Sequence, residues 1–124
     1  TITQGRQGVM PPMAAAVGSS EDVRNVAHYV LSLAGSPHNS VAGQLGRSKF
    51  SACAACHGTD GKGNQALGAP NLTDKIWLYG SSEATITETI INGRQNKMPA
   101  WKAFLGDDKV HLLTGYVYSL SQGK

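Results

Sequence analysis

The sequence lacks several features that would place it in a common class of protein. No apolar run in its 124 residues approaches the roughly 20 residues that a membrane-spanning helix needs, and no signal-peptide pattern opens the chain. We therefore expect a mature or truncated soluble fragment. Lysine and arginine form no clustered stripe despite the formal charge of +3, so nucleic acid is not an expected partner. No convincing strand pattern occurs, and we expect an all-α fold.

Cysteine is scarce, and the two cysteines present stand in one short motif. The segment Cys53-Ala54-Ala55-Cys56-His57 follows the C-x-x-C-H pattern of covalent haem c attachment. Two cysteines on one helical turn point the same way, so each can add to one vinyl group of a haem. The adjacent histidine then lies under the iron as its proximal ligand. We expect one covalently attached haem c, with its iron, per chain.

Other interpretations of the motif fit less well. A structural zinc site needs four ligands, and the chain has no second cysteine pair to complete one. A thioredoxin-like redox pair follows a strand, whereas no β-branched run precedes Cys53. A disulfide between Cys53 and Cys56 would close a small, strained loop. The haem consumes both cysteines, and its attachment outside the cytoplasmic membrane predicts a bacterial periplasm.

The chain contains an internal repeat. ITQGRQGVMPPM at 2–13 matches IINGRQNKMPAW at 90–101, and VAHYVLSL at 26–33 matches LTGYVYSL at 113–120 after a one-residue shift. The chain thus opens with the second half of a unit whose complete copy follows. We predict that residues 1–35 are the C-terminal half of a first domain lacking its haem attachment motif, that 36–40 are a linker, and that 41–124 are a complete domain.

Caps and hydrophobic spacing predict the helices. We expect them at 20–33, from 41 toward Cys53, at 74–79, at 83–92 between the N-cap Ser82 and the stop Gly93, and after Asp107-Asp108. The glycine-rich segment 58–70 would wrap one haem edge. Gly115 would let the last helix cross the one leading to Cys53 closely. That last helix would bury a stripe of four residues: Val110, Leu113, Val117 and Leu120.

Met98 is the expected sixth ligand of the iron. It precedes Pro99 in a loop between two helices, where its thioether can project onto the face opposite His57 and raise the reduction potential. Methionine also fills gaps in cores, but the repeat keeps Met10-Pro11 in the same context, which favours a ligand. We assign surface or structural roles to the remaining histidines: His28, His38 and His111.

Further residues are expected to orient His57 and bind the haem propionates. A carbonyl in the segment 69–71, centred on Pro70, would accept the second ring N–H of His57. Trp77, Tyr79 and Arg94 would hydrogen-bond or pair with the propionates. Ordinary core packing is the alternative for Trp77 and Tyr79.

These motifs together resemble one family. The segment 53–80 reads CAACHGTDGKGNQALGAPNLTDKIWLYG, and GR-x-x-x-MP occurs twice. Over essentially the whole chain this resembles the dihaem cytochrome c subunit (subunit III) of cbb3-type cytochrome c oxidase. The APNLTD…WLYG segment and the paired GR-x-x-x-MP loops are more specific than C-x-x-C-H alone. The fold class that follows is an all-α class I cytochrome c domain preceded by the C-terminal half of a second cytochrome c domain.

The resemblance also implies a function. It implies two tandem domains behind a membrane anchor that this chain lacks, His/Met ligation of both haems, and a place on the periplasmic side of the bacterial inner membrane. The chain would relay electrons toward the oxygen-reducing subunit without being the catalytic subunit. Its partners would be other subunits of a haem-copper oxidase and redox partner cytochromes. Cys53, Cys56, His57 and Met98 carry over as the second haem site, and Met10 as the ligand of a first haem whose attachment site is absent.

Two other functions fit the sequence less well. A free-standing dihaem electron carrier of the c4 type shares the tandem layout, but the WLYG segment counts against it. A haem protein with an open sixth position, which binds ligands or acts as a peroxidase, would require Met98 to swing away from the iron.

Overall fold

A computed structural model of the chain describes residues 1–122 and divides the chain into two compact units. Unit 1 combines Thr1–Gln7 with the chain from Asn96 onward, and unit 2 comprises Gly8–Gln95. The segment 36–40, which the sequence predicts to be a linker between domains, lies inside unit 2.

The described part of the chain is mostly helical, as predicted. No helix within residues 1–122 combines the length and the apolar character needed to cross a membrane. The elements, in chain order, are β1 (Arg6–Met10), α1 (Ala14–Val17), α2 (Ser20–Leu33), α3 (Ser40–Lys49), α4 (Ser51–His57), a 3-10 turn (Gln65–Leu67), α5 (Glu83–Asn92), β2 (Arg94–Met98), α6 (Lys102–Leu105) and α7 (Asp107–Gln122).

The prediction that the chain forms no strand was wrong, because β1 and β2 pair into a two-stranded sheet. The strands are the two copies of the repeated GR-x-x-x-MP segment. Gly5 lies against the Met98 carbonyl in unit 1 and Gly93 against the Met10 carbonyl in unit 2, which makes the pairing antiparallel. Both glycines have a φ of 73°, a conformation that glycine adopts readily. Neither strand contains the alternating β-branched residues by which strands are usually predicted.

Capping residues place α2 and α5 where the sequence predicts them. The Ser19 hydroxyl accepts the Asp22 N–H at 3.1 Å, and the Asp22 carboxylate accepts the Ser19 N–H at 3.0 Å. This reciprocal capping box starts α2 and lowers the pKa of Asp22, chiefly through the hydrogen bond from the Ser19 backbone. The Ser82 hydroxyl caps α5 by accepting the Thr85 N–H at 3.1 Å, and Gly93 ends that helix.

Two other helix predictions need correction. No helix forms at 74–79, because the Asp74 carboxylate accepts the Ile76 N–H at 3.0 Å and closes a turn instead. The helix predicted from 41 toward Cys53 is interrupted at Phe50, which ends α3 and begins α4. The glycine-rich segment 58–70 is a loop, as predicted, apart from its 3-10 turn.

The core of unit 2 forms where α2 packs against α3 and α5. The crossing of α2 with α3 is close, because a Cβ added at Gly46 would collide with the Asn25 carbonyl. A small residue at this position lets the two backbones approach. The core cluster consists of Val17, Val23, Val26, Ala27, Val30, Leu31, Phe50, Cys53, Leu72, Ile86 and Ile90.

Unit 1 contains α6 and α7. Its two segments are joined by a backbone hydrogen bond in which the Trp101 N–H donates to the Ile2 carbonyl at 2.9 Å. Helix α7 begins at Asp107, as predicted, and buries Val110. The rest of its predicted buried stripe was wrong, since Leu113, Val117 and Leu120 are 39–55% exposed. A Cβ added at Gly115 would meet nothing within 4 Å in the described part of the chain, and the predicted crossing with the helix that leads to Cys53 stays a prediction.

The close crossing of α2 and α3 predicts opposite effects of one substitution at two glycines. We expect Gly46→Ala to lower the free energy of unfolding by about 1–3 kcal/mol, because the new Cβ must displace the backbone of Asn25. Gly115→Ala is the matched control, because its Cβ would meet nothing within 4 Å among the described residues, and its better helix propensity should raise that free energy by up to about 1 kcal/mol. Urea unfolding followed by circular dichroism measures both. Equal effects would contradict the crossing.

Candidate haem site

The C-x-x-C-H motif lies on α4, at the edge of the core of unit 2. The Phe50 carbonyl starts this helix by accepting the N–H groups of Cys53 at 2.8 Å and Ala54 at 3.0 Å. Cys53 is buried in the core cluster and Cys56 is exposed, so the motif runs from the interior to the surface. Burial raises the pKa of the Cys53 thiol. The two thiols are not joined to each other, which leaves both available for thioether bonds.

His57, the last residue of α4, is buried with only 7% of its surface exposed. Its Nδ1 lies 3.0 Å from the Pro70 carbonyl oxygen, within the segment predicted to supply such an acceptor. A carbonyl can only accept, so Nδ1 must carry the ring proton and donate it. This fixes the tautomer and leaves the Nε2 lone pair free to bind a metal.

The loop after α4 holds the Pro70 carbonyl in place. The Gly63 N–H donates to the His57 carbonyl at 2.7 Å, and Asn64 and Ala69 exchange two backbone hydrogen bonds of 2.9 and 3.0 Å. Gly63 has a φ of 87°, and a Cβ there would approach the backbone of Pro70 within 2.7 Å. The loop therefore closes tightly enough for its far end to return to the histidine.

The three residues predicted to bind propionates all lie in unit 2. Trp77 packs against the core cluster, and its buried Nε1 has no hydrogen-bond partner among the described residues. The Arg94 Nε donates to the Thr89 Oγ1 at 3.0 Å, and its guanidinium carbon lies 3.9 Å from the centroid of the Tyr79 ring. A buried indole N–H without an acceptor is costly, so an anionic group of a haem fits this position.

The two methionines of the repeated segment belong to different compact units. Met98 is 39% exposed and belongs to unit 1. Met10 belongs to unit 2 and packs against the core cluster that contains Cys53. The sequence prediction gives Met10 to a first haem rather than to this site, and Met10 and Met98 share the GR-x-x-x-MP context.

The remaining histidines have the surface or structural surroundings expected of them. His28 accepts the Asn39 N–H on Nδ1 at 3.1 Å, and its Nε2 lies 3.2 Å from a carboxylate oxygen of Glu83. His38 contacts the Ser36 carbonyl at 2.8 Å and, like His111, is exposed.

A helical fold built around a C-x-x-C-H motif, with its histidine oriented by a loop carbonyl, is typical of the cytochrome c class. Comparison with known families narrows this class. Residues 44–117 match the family described as cytochrome c oxidase, cbb3-type, subunit III. The chain belongs to this family.

Individual relatives agree with the family assignment. The cbb3-type cytochrome c oxidase subunit CcoP of Rubrivivax gelatinosus is 62% identical over 122 residues, which are 98% of this chain and 40% of that protein. Subunit FixP of Azorhizobium caulinodans is 48% identical over 98% of this chain and 42% of that protein. Subunit CcoP of Cereibacter sphaeroides is 40% identical over 100% of this chain and 43% of that protein. The chain therefore spans about two fifths of the length of these relatives.

The tight closure of the loop predicts that alanine is more destabilising at Gly63 than at Gly80, although both glycines have positive φ. Gly63→Ala and Gly80→Ala both place a Cβ in an unfavourable backbone conformation, at a cost of about 1–2 kcal/mol. At Gly63 the Cβ also meets the Pro70 backbone, whereas at Gly80 it meets nothing within 4 Å among residues 1–122. We expect Gly63→Ala to lower the melting temperature more than Gly80→Ala, and to change the ligand field of a bound haem in the optical spectrum. Equal melting temperatures and identical spectra would be inconsistent with this loop geometry.

Proposed function

We propose that this chain is an electron-transfer module that carries one haem c. Cys53 and Cys56 would hold the haem through thioether bonds, and His57 would bind its iron through Nε2. The hydrogen bond from His57 Nδ1 to the Pro70 carbonyl carries the proposal, because it fixes the tautomer that an iron ligand requires. When bound, the haem supplies the one-electron exchange between ferric and ferrous iron.

A methionine thioether is the proposed ligand on the opposite face of the haem. The sequence predicts Met98 for this role, and that assignment remains a prediction. Ligation by histidine and methionine fills both axial positions and favours ferrous iron, which suits electron transfer rather than binding of a substrate at the iron.

The surrounding residues are suited to the charges that a haem would bring, which are its propionates and its iron. The unpaired Nε1 of Trp77 and the guanidinium of Arg94 are suited to propionate oxygens, because both only donate hydrogen bonds. The Tyr79 ring stacks on Arg94 and restrains its side chain. Burial of Cys53 and His57 excludes water from the proximal side, and a low-dielectric surrounding disfavours the extra positive charge of ferric iron.

Electrons would enter and leave near the exposed end of the motif. Cys56 is exposed, so the haem edge attached to it would lie close to solvent. Ile76 and Leu78, on either side of Trp77, are 81% and 79% exposed, which is unusual for large apolar side chains. Exposed apolar residues of this kind suit the small, transient interfaces of electron-transfer partners.

The names of the relatives support a respiratory context for this exchange. The relatives are named as subunits of cbb3-type cytochrome c oxidases. We propose that this chain relays electrons toward the oxygen-reducing subunit of such an oxidase, on the periplasmic side of the membrane. Its partners would be the other oxidase subunits and redox partner cytochromes. It would act as an electron carrier rather than as the catalytic subunit.

Redox titration of the haem-loaded chain tests this function. We expect one reversible one-electron transition, a low-spin spectrum in both oxidation states, and no binding of carbon monoxide to the reduced iron. His57→Ala should abolish the low-spin spectrum or prevent haem incorporation. A high-spin iron that binds carbon monoxide in the unsubstituted chain would contradict the electron-carrier function.

The unpaired N–H of Trp77 generates a separate prediction. Trp77→Phe keeps an aromatic ring in the core but removes the donor, leaving the negative charge of a propionate less compensated. We expect the reduction potential to fall on the order of tens of millivolts, since 59 mV corresponds to a tenfold change for one electron. Trp101→Phe, at a residue that is 37% exposed in unit 1, is the control and should leave the potential unchanged. An unchanged potential in Trp77→Phe would argue that its N–H does not face the haem.

A further inference from the structure

The backbone segment 69–72 of unit 2 is held at both of its ends. At one end, Ala69 exchanges backbone hydrogen bonds of 2.9 and 3.0 Å with Asn64. At the other end, the Leu72 N–H donates to the Gly61 carbonyl at 2.7 Å. The carbonyl that orients the candidate haem ligand lies between these two attachments.

The direction of the Pro70 carbonyl is not fixed by the proline itself. The pyrrolidine ring sets φ of Pro70, but the carbonyl turns with ψ, which depends on how the chain leaves this residue. The chain must also turn at once toward the interior, because Leu72 belongs to the core cluster. The residue between them, Asn71, is therefore the one whose conformation decides where the carbonyl points.

Asn71 closes a side-chain turn directly after that carbonyl. Its Oδ1 accepts the Thr73 N–H at 2.8 Å and the Thr73 hydroxyl at 2.6 Å, and both hydrogen bonds are partly buried. A backbone N–H can only donate, so the atom that faces Thr73 must be the amide oxygen. Asparagine is favoured in such turns because its side chain bonds the backbone two residues further on. The bond from the hydroxyl restrains the amide group a second time.

Two other side-chain turns in the same loop are built more simply. The Asp60 carboxylate accepts the Lys62 N–H at 3.0 Å, and the Asn64 Oδ1 accepts the Ala66 N–H at 3.0 Å. Both of these hydrogen bonds are exposed. The turn at Asn71 is thus distinguished by its second bond and its partial burial, and it is the turn that adjoins the acceptor of the histidine proton.

We propose that Asn71 is a positioning residue for the haem, which acts through Pro70 on His57. Its turn with Thr73 holds the Pro70 carbonyl oxygen at the 3.0 Å that separates it from His57 Nδ1. A firm hydrogen bond at Nδ1 makes the imidazole a stronger electron donor at Nε2. A stronger donor stabilises the extra positive charge of ferric iron, so the turn lowers the reduction potential. The inference rests on the proposed function and adds to it a residue that tunes the site.

Redox titration and proton NMR of the haem-loaded 124-residue chain test the proposal. Asn71→Ala removes the acceptor of the turn. We expect the reduction potential to rise by up to about 59 mV, which corresponds to a tenfold change in the equilibrium constant of a one-electron couple. In the reduced state, the Nδ1 proton of His57 should shift upfield and exchange faster with solvent, because its hydrogen bond is weaker. Asn71→Ser should partly reverse both effects, because a serine hydroxyl forms the same turn more weakly.

Thr73 provides a second pair of variants, which keeps the test decisive if Asn71→Ala does not incorporate haem. Thr73→Val preserves the branched shape and the backbone N–H but removes the hydroxyl donor. We expect its reduction potential to rise by less than that of Asn71→Ala, since one of the two hydrogen bonds remains. Thr73→Ser keeps both donors and should leave the potential unchanged.

Asn39→Ala is the matched control, because it removes the same kind of acceptor elsewhere in unit 2. The Asn39 Oδ1 accepts the Ala42 N–H at 3.0 Å and caps the start of α3. Loss of this cap should lower the melting temperature without changing the reduction potential or the resonance of the Nδ1 proton. If Asn71 served stability alone, the two asparagine variants would behave alike.

The alternative outcomes separate this inference from the proposed function. Unchanged potentials and Nδ1 resonances in Asn71→Ala and Thr73→Val, with a reversible transition in the unsubstituted chain, overturn the inference and leave the electron carrier intact. A fall in the potential of these variants also overturns it, because that is the sign expected when water enters the pocket and stabilises ferric iron. A high-spin iron that binds carbon monoxide in the unsubstituted chain overturns the proposed function, and with it the inference.

Discussion

The hydrogen bond from His57 to the Pro70 carbonyl is the interaction on which the site depends. It requires a loop of 13 residues to return to α4, and Gly63 permits that return by adopting a positive φ against the Pro70 backbone. Proline supplies the acceptor without adding a donor that would need its own partner. Because the histidine ends the helix that carries both cysteines, one loop contact orients the whole attachment motif. The chemistry of the site is thus set by backbone geometry several residues away from it.

Packing around that motif depends on the helix that crosses α3. The crossing is close at Gly46, and α2 fills it with a stripe of small and branched residues, notably Val26. The repeat gives α7 a comparable hydrophobic pattern. The antiparallel pairing of β1 and β2 is formed by the two GR-x-x-x-MP segments that lead into these halves.

Local features of the structure were predictable from sequence, and long-range choices were not. Ser82 and Gly93 define α5 because capping is encoded within a few residues, and the acceptor for His57 was predictable because proline and glycine mark that loop. The strands were not predicted, because each pairs with a segment that is far away in the sequence. The exposure of Leu113 escaped it too, because hydrophobic spacing shows that a helix has an apolar face and not which surface covers that face.

The central claim is that this chain carries electrons through an iron held by His57 and a methionine. X-ray absorption at the iron edge of the oxidised, haem-loaded chain tests it most directly, because sulfur scatters more strongly than nitrogen or oxygen. The account predicts one sulfur in the first coordination shell, beside the nitrogens of the porphyrin and of His57. A shell of nitrogen and oxygen alone would show an iron without its thioether, and the closed electron-carrier site described for this chain would be wrong.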